Sequence, residues 1–252
     1  MADLYGLIGK KLAHSQSKQF FTTFFDVNKI NASYKLFELK TIHELPVLLQ
    51  NNPDLKGLNV TIPYKQEVLP FLDEIDFDAK MIGAVNAIAV VQKKGKIVLR
   101  GFNTDAFGFD KSLQKVIQVP NKKKALILGT GGAARAVRYL LRKNGIIFKS
   151  VGRTGLKSDE LTYNEITPQL IEEFEIIINT TPLGMFPHLD DAPKIPYQSI
   201  GKDHILMDLI YNPAETIFLK EGKQRGAVTI NGQEMFVLQA SKSWELWQKH
   251  SF

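Results

Sequence analysis

Two hydrophobic rhythms run along this chain, period two and period 3.6, and the way they alternate divides it into parts. Leu4 to Gly9 reads as a strand. Ser17 to Ile30 reads as a helix, with Phe20, Phe21, Phe24 and Phe25 grouped at helical spacing. Ser33 to Leu39 alternates as a second strand, and a short helix around His43 to Leu49 follows. Leu58 to Thr61 is a strand that stops at Pro63, with a helix starting immediately after it. Ala84 to Val91 and Ile97 to Phe102 are β-rich runs on either side of Gly95 and read as a hairpin. The simplest assembly of these strands is a mostly parallel sheet with one antiparallel excursion.

From Asp105 to Lys115 the pattern is helical, and Val119-Pro120-Asn121 closes the passage. Strands and helices then alternate strictly. Strands fall at Ala125 to Leu128, Ile146 to Val151, Ile176 to Asn179, Ile205 to Leu209 and Val228 to Ile230, the mark of a doubly wound α/β domain. The last helix, Gln233 to Lys249, carries Phe236, Ala240, Ser243, Trp244 and Trp247 on one face, so it is expected to dock rather than fray.

Composition narrows the class. The 252 residues are 44% hydrophobic and 23% charged, enough apolar material for one large core or two modest ones. There is no cysteine, which excludes disulfides and thiolate metal sites and is compatible with a reducing cytoplasm. Met1 to Gly6 has no basic segment leading into an apolar one, so a signal peptide is not expected, and no apolar run has the length of a membrane span. The net charge is +6, but the lysines are scattered, with short clusters only at Lys93-Lys94-Gly95-Lys96 and Lys122-Lys123-Lys124. Both clusters fall at expected turns and read as solvated loops rather than a nucleic-acid surface. Excess positive charge also raises the encounter rate with anionic ligands.

Ala125 to Leu128 leads into Gly129-Thr130-Gly131-Gly132-Ala133-Ala134 and then an amphipathic helix. This is G-x-G-x-x-[GA] between a strand and a helix, the context a dinucleotide fingerprint requires. Gly129 permits the tight turn, Gly131 lets the backbone approach a pyrophosphate, and Ala134 allows close helix–strand packing. NAD sites carry an acid about 20 residues further on. Here no acid appears until Asp159, and Arg153 stands in its place, where a guanidinium can bond a 2′-phosphate through two donors. Lys157 adds charge nearby, so NADP is the expected cofactor.

Three polar clusters lie at strand ends, where open α/β sheets bind ligands. They are His14-Ser15-Gln16-Ser17, Asn59-Val60-Thr61-Ile62-Pro63-Tyr64-Lys65, and Gly83-Ala84-Val85-Asn86 with Gly101-Phe102-Asn103-Thr104-Asp105. Period two puts Asn59 and Thr61 on one face, and Lys65 enters the first turn of a helix, where its charge opposes the dipole unless an anion compensates. Singly each has a plain explanation: Ser17 as an N-cap, Asp105 as a first-turn acid, Lys65 as a surface lysine, Asn86 as a turn residue.

Together, in this order, these segments resemble the shikimate dehydrogenases: H-S-x-S, N-V-T-x-P-x-K, G-A-V-N, G-x-N-T-D and G-x-G-G-A. Arg153-Thr154, Asn179-Thr180-Thr181-Pro182-Leu183-Gly184-Met185 and Met235 to Gln239 extend the likeness over essentially the whole chain. The pattern departs from the family at Lys11, Lys18 and Gly152, none of which carries the hydride chemistry.

The resemblance implies two α/β domains. A substrate-binding domain (1–104, joined by the C-terminal helix 233–252) has a mostly parallel sheet, a Rossmann-type NADP-binding domain spans 105–232, and the active site is in the cleft between them. It implies Lys65 and Asp105 as the catalytic pair. Ser15 and Ser17 would hold the substrate carboxylate, with Asn59, Thr61, Asn86, Tyr211 and Gln239 on the rest of the ring. Gly129, Gly131, Gly132, Ala133, Arg153, Thr154, Lys157, Thr181, Met185 and Gly232 would hold NADP(H). The implied activity is NADPH-dependent reduction of 3-dehydroshikimate to shikimate by a cytoplasmic monomer or homodimer, without nucleic acid, membrane or metal. An NAD-dependent quinate/shikimate dehydrogenase and a catalytically silent NADP-binding protein are the alternatives. Arg153 speaks against the first, and intact Lys65 and Asp105 against the second.

Overall fold

The computed structural model describes residues 2–13, 15–93, 95–115, 124–154 and 160–250. His14 and Lys157, with Lys94, Lys122, Lys123 and the Val119-Pro120-Asn121 passage, lie outside the described residues. The chain forms two compact units, Met1–Thr104 with Gln239–Phe252, and Asp105–Leu238.

The first unit is built on a six-stranded sheet in the order β2-β1-β3-β5-β6-β4. Its strands are β1 (Asp3–Gly9), β2 (Ala32–Glu38), β3 (Leu55–Val60), β4 (Glu74–Ile75), β5 (Ala87–Lys93) and β6 (Lys96–Phe102). Only β5 runs against its neighbours, which is the expected antiparallel excursion. It turns back through Gly95 at φ 77°, pairing Lys93 with Lys96. One side of the sheet packs Leu4, Ile8, Leu58, Val60 and Ile88 with α2 (Leu45–Asn51). The other packs Tyr5, Leu7 and Tyr34 with Phe21 and Phe25 of α1 (Ser17–Val27) and Trp247 of α9 (Gln233–His250).

Trp247 is 0% exposed, stacks on Tyr5 with centroids 5.0 Å apart, and donates its indole N–H to the Ile88 carbonyl at 2.9 Å. Gly57 makes the room: a Cβ there would lie 2.5 Å from the indole ring. The final helix therefore does dock, by its aromatic residues.

Some elements differ from expectation. Helix α1 stops at Val27, because Asn28 turns its amide to the Phe24 carbonyl at 2.8 Å and Lys29 takes a left-handed φ of 55°. The strand expected from Ala84 begins at Ala87. Gly83 closes α4 (Phe77–Ile82) at φ 69°, and the Val85 N–H is taken by the Lys65 carbonyl at 2.7 Å, so residues 84–86 are committed elsewhere. Helix α4, capped by Asp76 on the Asp78 N–H, and the two-residue β4 are too short to show a period.

The second unit holds a wholly parallel sheet, β12-β11-β10-β7-β8-β9. Its strands are β7 (Lys124–Leu128), β8 (Ile147–Gly152), β9 (Glu160–Thr162), β10 (Ile176–Asn179), β11 (Ile205–Asp208) and β12 (Val228–Ile230). The chain steps outward from β7 through β8 to β9, then returns to β10 on the other side of β7. That is the 3-2-1-4-5-6 order with its switch point between β7 and β10. Helices α6 (Gly132–Lys143), α7 (Pro168–Glu173) and α8 (Ile217–Gln224) connect the strands. β10 is buried throughout and β7 from Ala125 onward, which is why they read as apolar runs.

Candidate active site

In the first unit the polar strand ends converge on Asn86, which is 4% exposed. Its Oδ1 accepts the Thr104 N–H at 2.6 Å, and its Nδ2 donates to Thr104 Oγ1 at 3.0 Å and to Gln239 Oε1 at 3.3 Å. Its main chain accepts from Val60 at 2.9 Å. Asn59, half-buried near the end of β3, donates to the Asn86 carbonyl at 3.2 Å and to the Ser243 hydroxyl at 2.9 Å, and accepts from the Tyr34 hydroxyl at 2.8 Å. Ser243, 0% exposed, donates to the Gln239 carbonyl at 2.9 Å and lies 3.2 Å from Thr104 Oγ1. Asn59, Asn86 and Gln239 thus form one network. Because Gln239 gives Oε1 to Asn86, its Nε2 is the end turned to other partners.

Lys65 is half-buried in the first turn of α3 (Tyr64–Glu67). Its carbonyl holds Val85, so Lys65 and Thr104 are both anchored on the adjacent residues Val85 and Asn86. Asp105 follows Thr104 in the first turn of α5 (Thr104–Gln114) and is 3% exposed. Thr61, just beyond β3, gives its N–H to Ile8 at 2.9 Å. Ser15 and Ser17 are half-buried where the chain enters α1. The N-cap is Gln16 rather than Ser17, and Ser15 Oγ accepts the Ser17 N–H at 3.2 Å. The Ser15 hydroxyl proton is then left for an acceptor such as a carboxylate.

Tyr211 belongs to the second unit, where its ring packs 4.6 Å from Phe236. Gly232 donates to the Ile210 carbonyl at 2.9 Å, and a Cβ there would collide with the Leu209 carbonyl, so close backbone packing accounts for that glycine.

The glycine turn follows β7 at the switch point. Gly129 takes φ 115°, and a Cβ on it would lie 2.5 Å from Thr180 Oγ1 and 3.1 Å from Thr181 Cγ2. Gly131 is exposed with open space where a Cβ would stand, and as N-cap of α6 it covers no helix N–H with a side chain. Gly132 and Ala133 begin that helix, and Ala134 is 0% exposed against the sheet. A backbone open to approach, beside uncapped N–H groups and the positive end of a helix dipole, fits a dinucleotide pyrophosphate. Arg153 and Thr154 are exposed at the end of β8, next to β7 in the sheet, where a cation suits a 2′-phosphate.

On the other side of the switch point, Thr181 follows β10 and is held by Asn179. Asn179 Oδ1 accepts the Thr181 N–H at 3.0 Å and its hydroxyl at 2.6 Å. Asn179 Nδ2 donates in turn to Asp208 Oδ1 at 3.1 Å. Asp208 is 1% exposed at the end of β11 and also accepts from the Ile210 N–H at 3.0 Å and the Thr216 hydroxyl at 2.6 Å. Burial pushes its carboxyl up to about 6, against the pull of those hydrogen bonds. Met185 is exposed in the turn closed by its N–H to Pro182 at 3.1 Å.

Sequence reasoning passed over Ser243, Thr104, Tyr34, Asn179 and Asp208 as site residues. A signal existed for three of them: Ser243 is a lone hydroxyl on an apolar helix face, and Asn179 and Asp208 are single polar residues ending apolar strands.

Residues 7–88 match the family model of the shikimate dehydrogenase substrate binding domain. The chain is 42% identical over 262 residues to shikimate dehydrogenase (NADP(+)) of Clostridium beijerinckii, spanning 98% of this chain and 92% of that one. It is 40% identical over 258 residues to the enzyme of the same name from Methanococcus maripaludis, spanning 97% and 91%. The crystal structure of shikimate dehydrogenase from Aquifex aeolicus superposes with a TM-score of 0.87 at 34% identity, covering 100% of this chain and 94% of that one.

Proposed function

The chain belongs to the shikimate dehydrogenase family, and from that premise we propose how its own residues carry the reaction. The protein is an NADP-dependent oxidoreductase that reversibly reduces 3-dehydroshikimate to shikimate, a reaction of aromatic amino-acid biosynthesis. The substrate-binding domain (1–104 with the helix 233–252) holds the substrate and the domain 105–232 the cofactor. The Ser15 and Ser17 hydroxyls take the ring carboxylate. Asn59, Thr61 and Asn86 face the ring hydroxyls, and Gln239 offers its Nε2 because its Oε1 is committed to Asn86. Tyr211 is the second unit's residue assigned to the substrate.

NADPH supplies the hydride. Reduction of the ring carbonyl builds negative charge on its oxygen, and a cation within hydrogen-bond reach stabilises that charge as it forms. Lys65 is that cation and returns a proton to the oxygen. Asp105 orients the ammonium, and the two act as one unit. Gly129, Gly131, Gly132 and Ala133 receive the pyrophosphate, and Arg153 with Thr154 and Lys157 the 2′-phosphate. Thr181, Met185 and Gly232 complete the cofactor side. The same reading makes the protein a cytoplasmic enzyme working as a monomer or homodimer.

The observation that supports this assignment is the common anchorage of Lys65 and Thr104, the residue before Asp105, on the adjacent residues Val85 and Asn86. The experiment is initial-rate oxidation of shikimate and of quinate, each with NADP+ and with NAD+. Shikimate with NADP+ should give the highest kcat/KM. Faster turnover of quinate with NAD+ would move the protein to the alternative specificity.

A further inference from the structure

No step of the reaction uses Asp208, yet it is a carboxylate 1% exposed, with three donors aimed at it, one of them the Asn179 amide that holds Thr181. We infer that Asp208 is a positioning residue for the cofactor. By deciding which way the Asn179 amide faces, it commits the Thr181 hydroxyl to act as an acceptor and holds the 180–185 turn against Gly129. The inference rests on the NADP(H) reading above.

The two ends of an amide side chain are nearly isosteric, and only the hydrogen-bond partners decide its orientation. An ionised carboxylate offers lone pairs alone, so Asn179 turns Nδ2 toward Asp208, at 3.1 Å, and the Leu183 carbonyl accepts more weakly from the same Nδ2 at 3.4 Å. Oδ1 then faces Thr181 and takes both its N–H and its hydroxyl proton, at 3.0 and 2.6 Å. Thr181 Oγ1 also accepts the Leu183 N–H at 3.3 Å. With its proton committed, the hydroxyl has only a lone pair for a ligand. That lone pair repels phosphate oxygens and accepts from a carboxamide N–H or a ribose hydroxyl.

Strand order says which part of the dinucleotide meets it. The pyrophosphate belongs at the turn after β7 and the 2′-phosphate at the end of β8, so the remaining half extends toward β10, on the other side of β7. That half carries a carboxamide and a ribose, the donors an acceptor-only Thr181 selects. Asp208 is itself anchored, by the Ile210 N–H and by Thr216, the N-cap of α8. The turn is also seated directly on the fingerprint, since Thr180 Oγ1 donates to the Leu128 carbonyl at 2.7 Å.

The test is isothermal titration of the full chain and of Asp208→Asn with NADP+ and with adenosine 2′,5′-bisphosphate, which lacks the nicotinamide half. In the variant the new amide competes as a donor, and the hold of residue 208 on the Asn179 amide is weakened to that of the longer Leu183 contact. Affinity for NADP+ should fall by up to roughly tenfold, the worth of about one neutral hydrogen bond, while bisphosphate affinity stays within about twofold. Equal losses for both ligands, or no loss for NADP+, would overturn the inference. Thr181→Val carries the test independently at a half-buried position: the same selective loss is required, and unchanged NADP+ affinity overturns it. A wild-type protein that binds neither ligand would instead overturn the cofactor reading itself.

Discussion

Nδ2 of Asn59 donates to the hydroxyl of Ser243 at 2.9 Å, joining the end of β3 to the middle of α9 across 184 residues. The same hydroxyl donates to the Gln239 carbonyl and meets Thr104 Oγ1, so one buried oxygen keys three elements that carry substrate residues.

Ser243→Ala leaves an amide hydrogen of Asn59 without that partner beside a fully buried position. KM for shikimate should rise roughly tenfold, in line with the cost of an unsatisfied buried donor, with NADP+ affinity unchanged. Steady-state kinetics with each substrate varied in turn would show it. An unchanged shikimate KM would make Ser243 a packing residue.

Lys65→Met keeps the aliphatic stem and removes the charge. If Lys65 bonds the forming alkoxide most strongly in the transition state, kcat should fall by about 10²–10⁴-fold with little change in KM. Asp105→Asn should be slow as well, and the double variant hardly slower than either, because the pair acts together. A Lys65→Met enzyme within about threefold of the wild-type kcat would return Lys65 to an ordinary half-buried lysine.

Arg153 is exposed at the end of β8 and replaces the acid that bonds a ribose hydroxyl in NAD sites. Arg153→Ala should erode the preference for NADPH over NADH, by about tenfold or more in kcat/KM and mainly through KM, since a bidentate charged contact is lost. Equal kcat/KM for the two cofactors in the wild type would defeat the premise.

The Asp208 carboxyl, pushed up to about 6 by burial, holds its proton more tightly in the folded than in the unfolded chain. The stability this contributes is fully present below the unfolded value of 3.8 and is lost as pH rises through about 6. Asp208→Asn removes that dependence. The stability difference between wild type and variant should therefore shrink by about 1.4 kcal/mol from pH 5 to pH 7.5, read from urea unfolding curves. Parallel pH profiles would show that the carboxyl titrates normally.

How far the sequence revealed this can be judged residue by residue. The glycine turn and the polar strand ends were legible because each is local: a strand, a break, then a helix, with chemistry at the break. β7 and β10 were legible as unbroken apolar runs because both faces of a parallel sheet are covered. α4, β4 and β9 are too short for their patterns to repeat clearly and left no trace. Ser243 and Asp208 escaped notice for another reason. Each owes its role to partners far along the chain, and a single serine on a helix face or acid at a strand end reads as surface until its burial is known. The start of β5 at Ala87 belongs to the same class, since it depends on the Lys65 carbonyl holding Val85.

The seat of Trp247 against Gly57 has a temporal side. On the ribosome the whole of residues 105–238, with its own uninterrupted sheet, emerges before the indole that closes the first unit. The second unit can thus fold vectorially, while β1 and β3 await an aromatic plug made 190 residues after Gly57. Contacts of such sequence separation are slow to form, so the first unit's core is the late event in biogenesis and the part that chaperones would meet half-built.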